Sequence, residues 1–200
     1  VELPEGGKAT VIAWIWARTV QCPNPACGCQ MPLVRSFQLS KKKGRTAWVE
    51  PIVEEDQETK QNKIRFQVKT GEGKIPEPSK TGRGATFKCL ACEQPVDHKH
   101  IKAEGMAERM GSQLMAIVGE SKKGRVYISP TPEHESIAKS AEPTWYPDAQ
   151  ISDDRRSMFT PLYGLTHFYH LFTNRQLVAL TTFSDLVTEV RDQIIQDAIK

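Results

Sequence analysis

The residues of this sequence best suited to chemistry are its five cysteines. They form two short clusters, with Cys22, Cys27 and Cys29 in one and Cys89 and Cys92 in the other. An odd number of cysteines in tight clusters argues against a secreted disulfide framework. Two close pairs separated by a long insert are instead typical of a zinc ribbon, in which each pair forms a tight turn. Zn²⁺ suits such a site because it binds four thiolates tetrahedrally without a redox change.

The spacing within each cluster selects the metal ligands. The two predicted pairs are Cys22 with Cys27 and Cys89 with Cys92. Prolines at positions 23 and 25 stiffen the first turn, and Gly28 stands where a positive φ is often required. Cys29 fits less well, because a Cys27–Cys29 pair would leave a single residue between ligands. We therefore expect Cys29 to be a free, partly buried thiol.

Other cysteine and histidine chemistries remain open at this point. His98 and His100 lie close after Cys92 and could replace a cysteine ligand, although four cysteines suffice and such histidines are more often surface residues. The Cys89-x-x-Cys92 spacing also occurs in redox dithiols, but these stand at a helix N-terminus in a βαβ unit, which this sequence does not predict. A cysteine nucleophile would need a spatially adjacent histidine, which sequence cannot exclude.

Charge is distributed unevenly along the 200 residues, whose net charge is +3. Residues 1–100 have 16 basic and 11 acidic side chains, a net charge of +5, and residues 101–200 have a net charge of −2. One basic group is Lys41, Lys42, Lys43 and Arg45, and a second is Lys80, Arg83 and Lys88. The first group is a candidate phosphate contact at a hairpin turn. The alternative is a solvated turn that protects a sheet edge.

Composition excludes some classes of protein and leaves others open. A net charge of +3 is too small to identify a nucleic-acid binder by itself. No apolar run approaches the roughly 18 residues needed to cross a bilayer, so we expect no membrane association and a cytoplasmic location. The chain begins with Val1 and no signal segment follows, so we expect it to be part of a longer protein.

Alternating and β-branched residues predict strands around the cysteines. The predicted strands cover residues 10–20, 33–40, 45–53, 64–68, 113–118 and 125–128. Between them we expect turns at 41–44 and 122–124, a loop at 54–62 and a flexible connection at 70–84. Trp14 and Trp16 share one face of the first strand, where packing is a better explanation than base stacking. The fold class predicted is α+β, a zinc ribbon with antiparallel β-hairpins followed by a long C-terminal helix.

Three regions follow from this pattern. Residues 1–128 form a zinc-ribbon β domain with tight turns at 22–27 and 89–92, and residues 129–165 form a linker with a short helix over 131–140. Residues 166–200 form a helical segment, with a long helix that begins at Thr173 or Asn174 and has an apolar face. That face is wide enough either to pack on a further part of the protein or to cover the sheet of this chain, and the sequence leaves both possibilities open.

Several phrases together resemble one family, the zinc-ribbon-containing adenine-specific DNA methylases. They span nearly the whole chain, and the most distinctive are Ile12–Thr19, Cys22–Cys27, Pro32–Ser36, Leu39–Gly44, Ala103–Gly111 and Leu171–Asp185. The resemblance implies a parent enzyme that transfers a methyl group from S-adenosylmethionine to the exocyclic amine of adenine. The four cysteines at 22, 27, 89 and 92 match the zinc ribbon of the family, whereas Cys29 has no counterpart in it.

The resemblance also implies what this region does not do. The family uses a glycine-rich Phe-x-Gly-x-Gly-like loop for the cofactor and an Asp-Pro-Pro-Tyr-like motif for the flipped adenine. Neither motif occurs here, so we expect a zinc-bearing internal region that has no catalytic residue and does not bind S-adenosylmethionine alone. Its partners would be the rest of the methyltransferase chain and DNA, the latter at residues 41–43 and 45. The alternatives are a protein-binding zinc-ribbon adaptor and an enzyme that uses Cys29 as a reactive thiol.

Overall fold

A computed structural model describes residues 1–3, 5–122, 124–154, 156 and 158–199. The chain divides into two compact units, the first spanning Val1–Pro132 and the second beginning at Glu133. Parts of three predictions lie outside the described residues, namely Lys123 in the turn at 122–124, Arg155 and Ser157 in the linker, and Lys200 in the C-terminal segment.

The described strands and helices, numbered in chain order, follow the predicted α+β class. The strands β1 to β9 are Thr10–Gln21, Gln30–Pro32, Gln38–Ser40, Ala47–Glu55, Asn62–Thr70, Phe87–Lys88, Pro95–Val96, Gly111–Ser121 and Gly124–Ile128. The α-helices α1 to α3 are His98–Met106, Pro132–Lys139 and Asn174–Ile199. Short 3₁₀ turns lie at Thr160–Tyr163 and Phe168–Leu171. All strand pairs are antiparallel.

The largest sheet has the order β2-β1-β8-β9. Its ladder sets Thr19 opposite Gly111 at one end and Thr10 opposite Glu120 at the other. Trp14 and Trp16 of β1 pack against buried aliphatic side chains of β8 and β9. This contact confirms the packing interpretation of both tryptophans and explains why a strand rich in aromatic and β-branched residues forms here.

The second sheet has the order β3-β4-β5. Its longest pair, β4 with β5, runs from Ala47 opposite Thr70 to Glu55 opposite Asn62. Two hydrogen bonds connect β5 with the first sheet: the Gln113 side-chain amide donates to the Ile64 carbonyl at 2.6 Å, and the Val68 N–H donates to Ser129 Oγ at 2.9 Å. Strands β5 and β8 therefore lie side by side and run in the same direction.

The single strand predicted over residues 33–40 is wrong. Residues 30–32 form β2 and residues 38–40 form β3, with a bend between them. Fully buried Ser79 replaces the missing strand bonds, because its hydroxyl accepts from the Val34 N–H at 2.8 Å and donates to the Pro32 carbonyl at 2.7 Å. The connection over 70–84 is therefore anchored near its end rather than free along its length.

The second unit contains the predicted long helix, α3. Thr173 and Gln176 form its capping box: the Thr173 N–H donates to Gln176 Oε1 at 2.8 Å and the Gln176 N–H donates to Thr173 Oγ1 at 3.4 Å. Leu177 and Thr181 are buried in α3, while most of the predicted apolar face is exposed, with Phe183 and Val187 each at 70%. Among the described residues, no helix is both long enough and apolar enough to cross a membrane.

Candidate metal centre

The first cysteine pair lies in the loop that joins β1 to β2. The Cys22 N–H donates to the Cys29 carbonyl at 2.9 Å and closes the base of this loop. Within it, the N–H groups of Cys27 and Gly28 both donate to the Asn24 carbonyl, at 3.0 and 3.1 Å. Gly28 has a φ of +58°, and a Cβ on it would stand 2.7 Å from the Gln61 side chain. The glycine predicted to relieve this turn is therefore required by both its conformation and its surroundings.

The second pair lies in the turn that joins β6 to β7. The Cys89 N–H donates to the Gln94 carbonyl at 2.9 Å, and the Glu93 N–H donates to the Cys89 carbonyl at 3.0 Å. The backbone N–H groups of Ala91 and Cys92 donate to the Cys89 sulfur. Such N–H donors stabilise a thiolate, which is the form of cysteine that binds a metal.

The two turns bring the four predicted ligands together. Their Sγ atoms all lie within 4.8 Å of one another, and three of the four cysteines are buried. The separations across the pairs are 3.6 Å between Cys22 and Cys92 and 3.9 Å between Cys27 and Cys89. Zn–S bonds of about 2.3 Å in a tetrahedron place sulfur atoms about 3.8 Å apart. The four thiols therefore fit a tetrahedral metal ion in both donor type and spacing.

Proton exchange explains why a cation is needed for four ionised sulfurs to share this space. Burial raises the pKa of the Cys22 thiol and of the Cys92 thiol. The pKa of Cys89 is lowered to about 4, first by a hydrogen bond from Cys29 and then by the N–H donors of its own turn. A bound divalent ion would favour the thiolate form of all four ligands, so binding would release protons.

Cys29 is more closely connected to the site than the sequence indicates. Its side chain is 1% exposed rather than partly buried, and its Sγ lies 3.5 Å from the Sγ of Cys89. Its contact with Cys89 and its burial raise the pKa of Cys29. The neutral Cys29 thiol is therefore a hydrogen-bond donor to the Cys89 thiolate, and it lies outside the group of four sulfurs that surround a common centre.

Asn62 and His100 support the cysteine turns and were not predicted to do so. Asn62 begins β5; its side-chain amide donates to Cys27 Sγ at 3.6 Å and its N–H donates to the Cys27 carbonyl at 3.2 Å. His100 of α1 contacts the Gln21 carbonyl through Nε2 at 2.8 Å, next to Cys22. Neither His98 nor His100 belongs to the sulfur cluster. No sequence signal distinguishes Asn62, because its role depends on a long-range contact.

The four predicted phosphate-binding residues stay together in one exposed turn between β3 and β4. The residues are Lys41, Lys42, Lys43 and Arg45. The Arg45 N–H donates to the Lys42 carbonyl at 2.8 Å, which closes the turn. The second basic group is different: Lys80 donates to the carbonyls of its own loop, and Lys88 forms ion pairs with Glu77 and Glu93.

Comparisons with family models, with curated proteins and with solved structures found no match to this chain.

Proposed function

We propose that this chain binds one zinc ion through Cys22, Cys27, Cys89 and Cys92, and that the ion joins the two cysteine turns as a zinc ribbon. The observation that supports this is the approach of four thiol groups, from two hairpin turns far apart in the sequence, to within 4.8 Å of one another. The four are buried or nearly so, which limits exchange of the ion with solvent. Soft thiolate ligands favour Zn²⁺ over Mg²⁺ and Ca²⁺.

The role of the ion is structural. Four thiolates fill a tetrahedral zinc site, whereas a catalytic zinc keeps one position for water or substrate. The short strands β6 and β7 have two residues each, which is too few to hold the Cys89–Cys92 turn in place by themselves. Zinc binding by such sites is worth about 10–16 kcal/mol at neutral pH, and that free energy contributes to folding.

The fifth cysteine offers a matched control for the zinc experiment. Cys27→Ser removes a ligand, and Cys29→Ser alters a neighbouring buried thiol. We expect one zinc per chain in the wild type and in Cys29→Ser, and loss of stoichiometric zinc with a large fall in thermal stability in Cys27→Ser. Metal analysis and thermal unfolding with and without a chelator measure both quantities. Equal zinc content in Cys27→Ser and wild type would refute the ligand assignment.

The larger setting that we propose is an adenine-specific DNA methyltransferase, on the basis of the sequence phrases that resemble that family. Within it, this region supports the fold and contacts the DNA backbone through residues 41–43 and 45, while other parts of the enzyme bind S-adenosylmethionine. The exposed turn and its four cations support a backbone contact. Duplex binding by the chain, measured over a salt series, tests the DNA contact. An affinity without salt dependence would refute it.

A protein-binding adaptor is the competing proposal, and one observation favours it. Several large apolar side chains of α3 are exposed, including Phe183, Val187 and Ile194. Exposed apolar stripes of this kind are common at protein interfaces. If duplex binding is absent while α3 variants such as Phe183→Asp abolish association with another protein, the adaptor proposal replaces the DNA proposal.

A further inference from the structure

We infer that a second basic turn, between β8 and β9, joins the β3–β4 turn in one surface that binds the phosphodiester backbone of duplex DNA. This inference rests on the proposed DNA contact and extends it to Lys122 and Arg125. Both side chains are exposed. Neither residue stood out in the sequence, where the two turns are far apart.

A direct contact places the two turns side by side. Gly124, in the β8–β9 turn, has a φ of +101°, and a Cβ built on it would stand 3.1 Å from Nη1 of Arg45. The Arg45 guanidinium therefore lies against the backbone of the second turn. A side chain at position 124 would displace it, so the glycine serves both the turn and this approach.

Strand topology explains why the turns meet. The end of β5 pairs with the start of β4, as Thr70 opposite Ala47, so the β3–β4 turn lies at the end of β5. Strand β8 runs beside β5 in the same direction and ends at Ser121, which pairs with Gly124. Both turns are consequently at the same end of the parallel β5–β8 arrangement. The Gly71 N–H, just after β5, donates to the Thr46 carbonyl at 3.0 Å and fixes the first turn there.

The charge of this surface is not neutralised within the described part of the chain. Its six cationic residues are all exposed: Lys41, Lys42, Lys43, Arg45, Lys122 and Arg125. None of them forms an ion pair with a described residue. Glu120 stands opposite Arg125 in the β8–β9 ladder and is the acidic residue placed nearest by strand register. By contrast, the far end of the β4–β5 hairpin is acidic, with Glu54, Glu55 and Asp56.

The chemistry of the six side chains selects phosphates rather than bases. They are lysines and arginines on two turns, with no aromatic ring among them for base stacking. Exposed Lys and Arg that neutralise phosphates release counterions, so affinity falls as salt rises. If all six residues contact phosphates, the slope of log K against log salt would be about −5, since each contact contributes about −0.9.

The test compares three zinc-loaded variants of the whole chain by fluorescence anisotropy with a labelled DNA duplex from 50 to 200 mM salt. The variants are K122A/R125A, K41A/K42A/K43A and a control, K63A/K99A. The control removes two exposed cations from the opposite end of the fold, because Lys63 pairs with Glu54 and α1 contacts Gln21 at the end of β1. Zinc content and thermal midpoint should match wild type in all three.

We expect K122A/R125A to reduce the magnitude of the salt slope by about 1.8, K41A/K42A/K43A to reduce it by about 2.7, and the control to leave it unchanged. If K41A/K42A/K43A weakens binding while K122A/R125A behaves like the control, the composite surface is refuted and the proposed DNA contact survives. If wild type shows no salt-dependent duplex binding, both are refuted.

Discussion

The contact between Cys29 and Cys89 makes a prediction that separates three possible roles for the fifth cysteine. Cys29→Ala removes the S–H donor that lies 3.5 Å from Cys89 Sγ, and Cys29→Ser keeps a donor in nearly the same place. A metal ligand, a donor to a ligand and an inert thiol would each respond differently to this pair of substitutions.

The expected effect is moderate. A hydrogen bond to a charged group contributes about 1.5–3 kcal/mol, and a thiol is a weak donor, so we take a value near the lower limit, about 1–1.5 kcal/mol. Because a tenfold change in affinity corresponds to about 1.4 kcal/mol, Cys29→Ala should bind zinc about five- to tenfold more weakly than wild type. Cys29→Ser should remain within about twofold of wild type, since a hydroxyl donates at least as well as a thiol.

Two measurements test this value. Competition with a chromophoric chelator at pH 7.4 gives the zinc affinity of each variant. Co²⁺ substitution gives an absorption spectrum whose sulfur-to-metal bands report the number of thiolate ligands, and we expect the four-thiolate spectrum in all three proteins. A changed Co²⁺ spectrum in Cys29→Ala would mean that Cys29 is a ligand. Equal zinc affinity in Cys29→Ala and wild type would mean that the hydrogen bond has no effect on the metal.

Two further predictions concern stability away from the metal. Ser79→Ala should cost about 1–3 kcal/mol in urea unfolding of the zinc-loaded protein, because it leaves the buried Val34 N–H and Pro32 carbonyl without their partner, and a cost under about 0.5 kcal/mol would contradict this account. The ion pair between buried Glu104 and Arg109, 2.6 Å long, lowers the pKa of the Glu104 carboxyl, so its contribution is present above the ordinary glutamate pKa and disappears as pH falls through the lowered value. The difference in unfolding free energy between wild type and Glu104→Gln, both zinc-loaded, should therefore shrink as pH falls from 7 toward about 4, and a difference that grows would refute the sign.

The elements that sequence predicted well are those whose signal is local. Strand β1 follows from β-branched and aromatic residues, and the start of α3 follows from Thr173 and Gln176, which form the capping box. The four ligands could be assigned because a metal site made of tight turns keeps its ligands close in sequence. Their approach to one another needed the structure, although the spacing already indicated it.

The elements that were missed depend on distant residues. The break between β2 and β3 depends on Ser79, whose hydroxyl satisfies backbone groups of residues 32 and 34. Helix α1 has Asp97 as its N-cap, but its single buried aliphatic residue, Ile101, gives no helical period to detect. The links of Asn62 to Cys27 and of Arg45 to Gly124 join positions that no local pattern relates.

The two proposed sites lie at opposite ends of the same strands, and this separation limits how the metal can influence DNA binding. Asn62, at the start of β5, contacts Cys27, whereas Thr70, at its end, is next to the basic turns. Nine residues at about 3.3 Å each place these ends about 26 Å apart, well beyond the Debye length of about 8 Å at physiological salt. The charge of the metal site therefore cannot act directly on a phosphate bound at the turns. Loss of zinc should weaken duplex binding only as far as it unfolds the sheets that hold the two turns together.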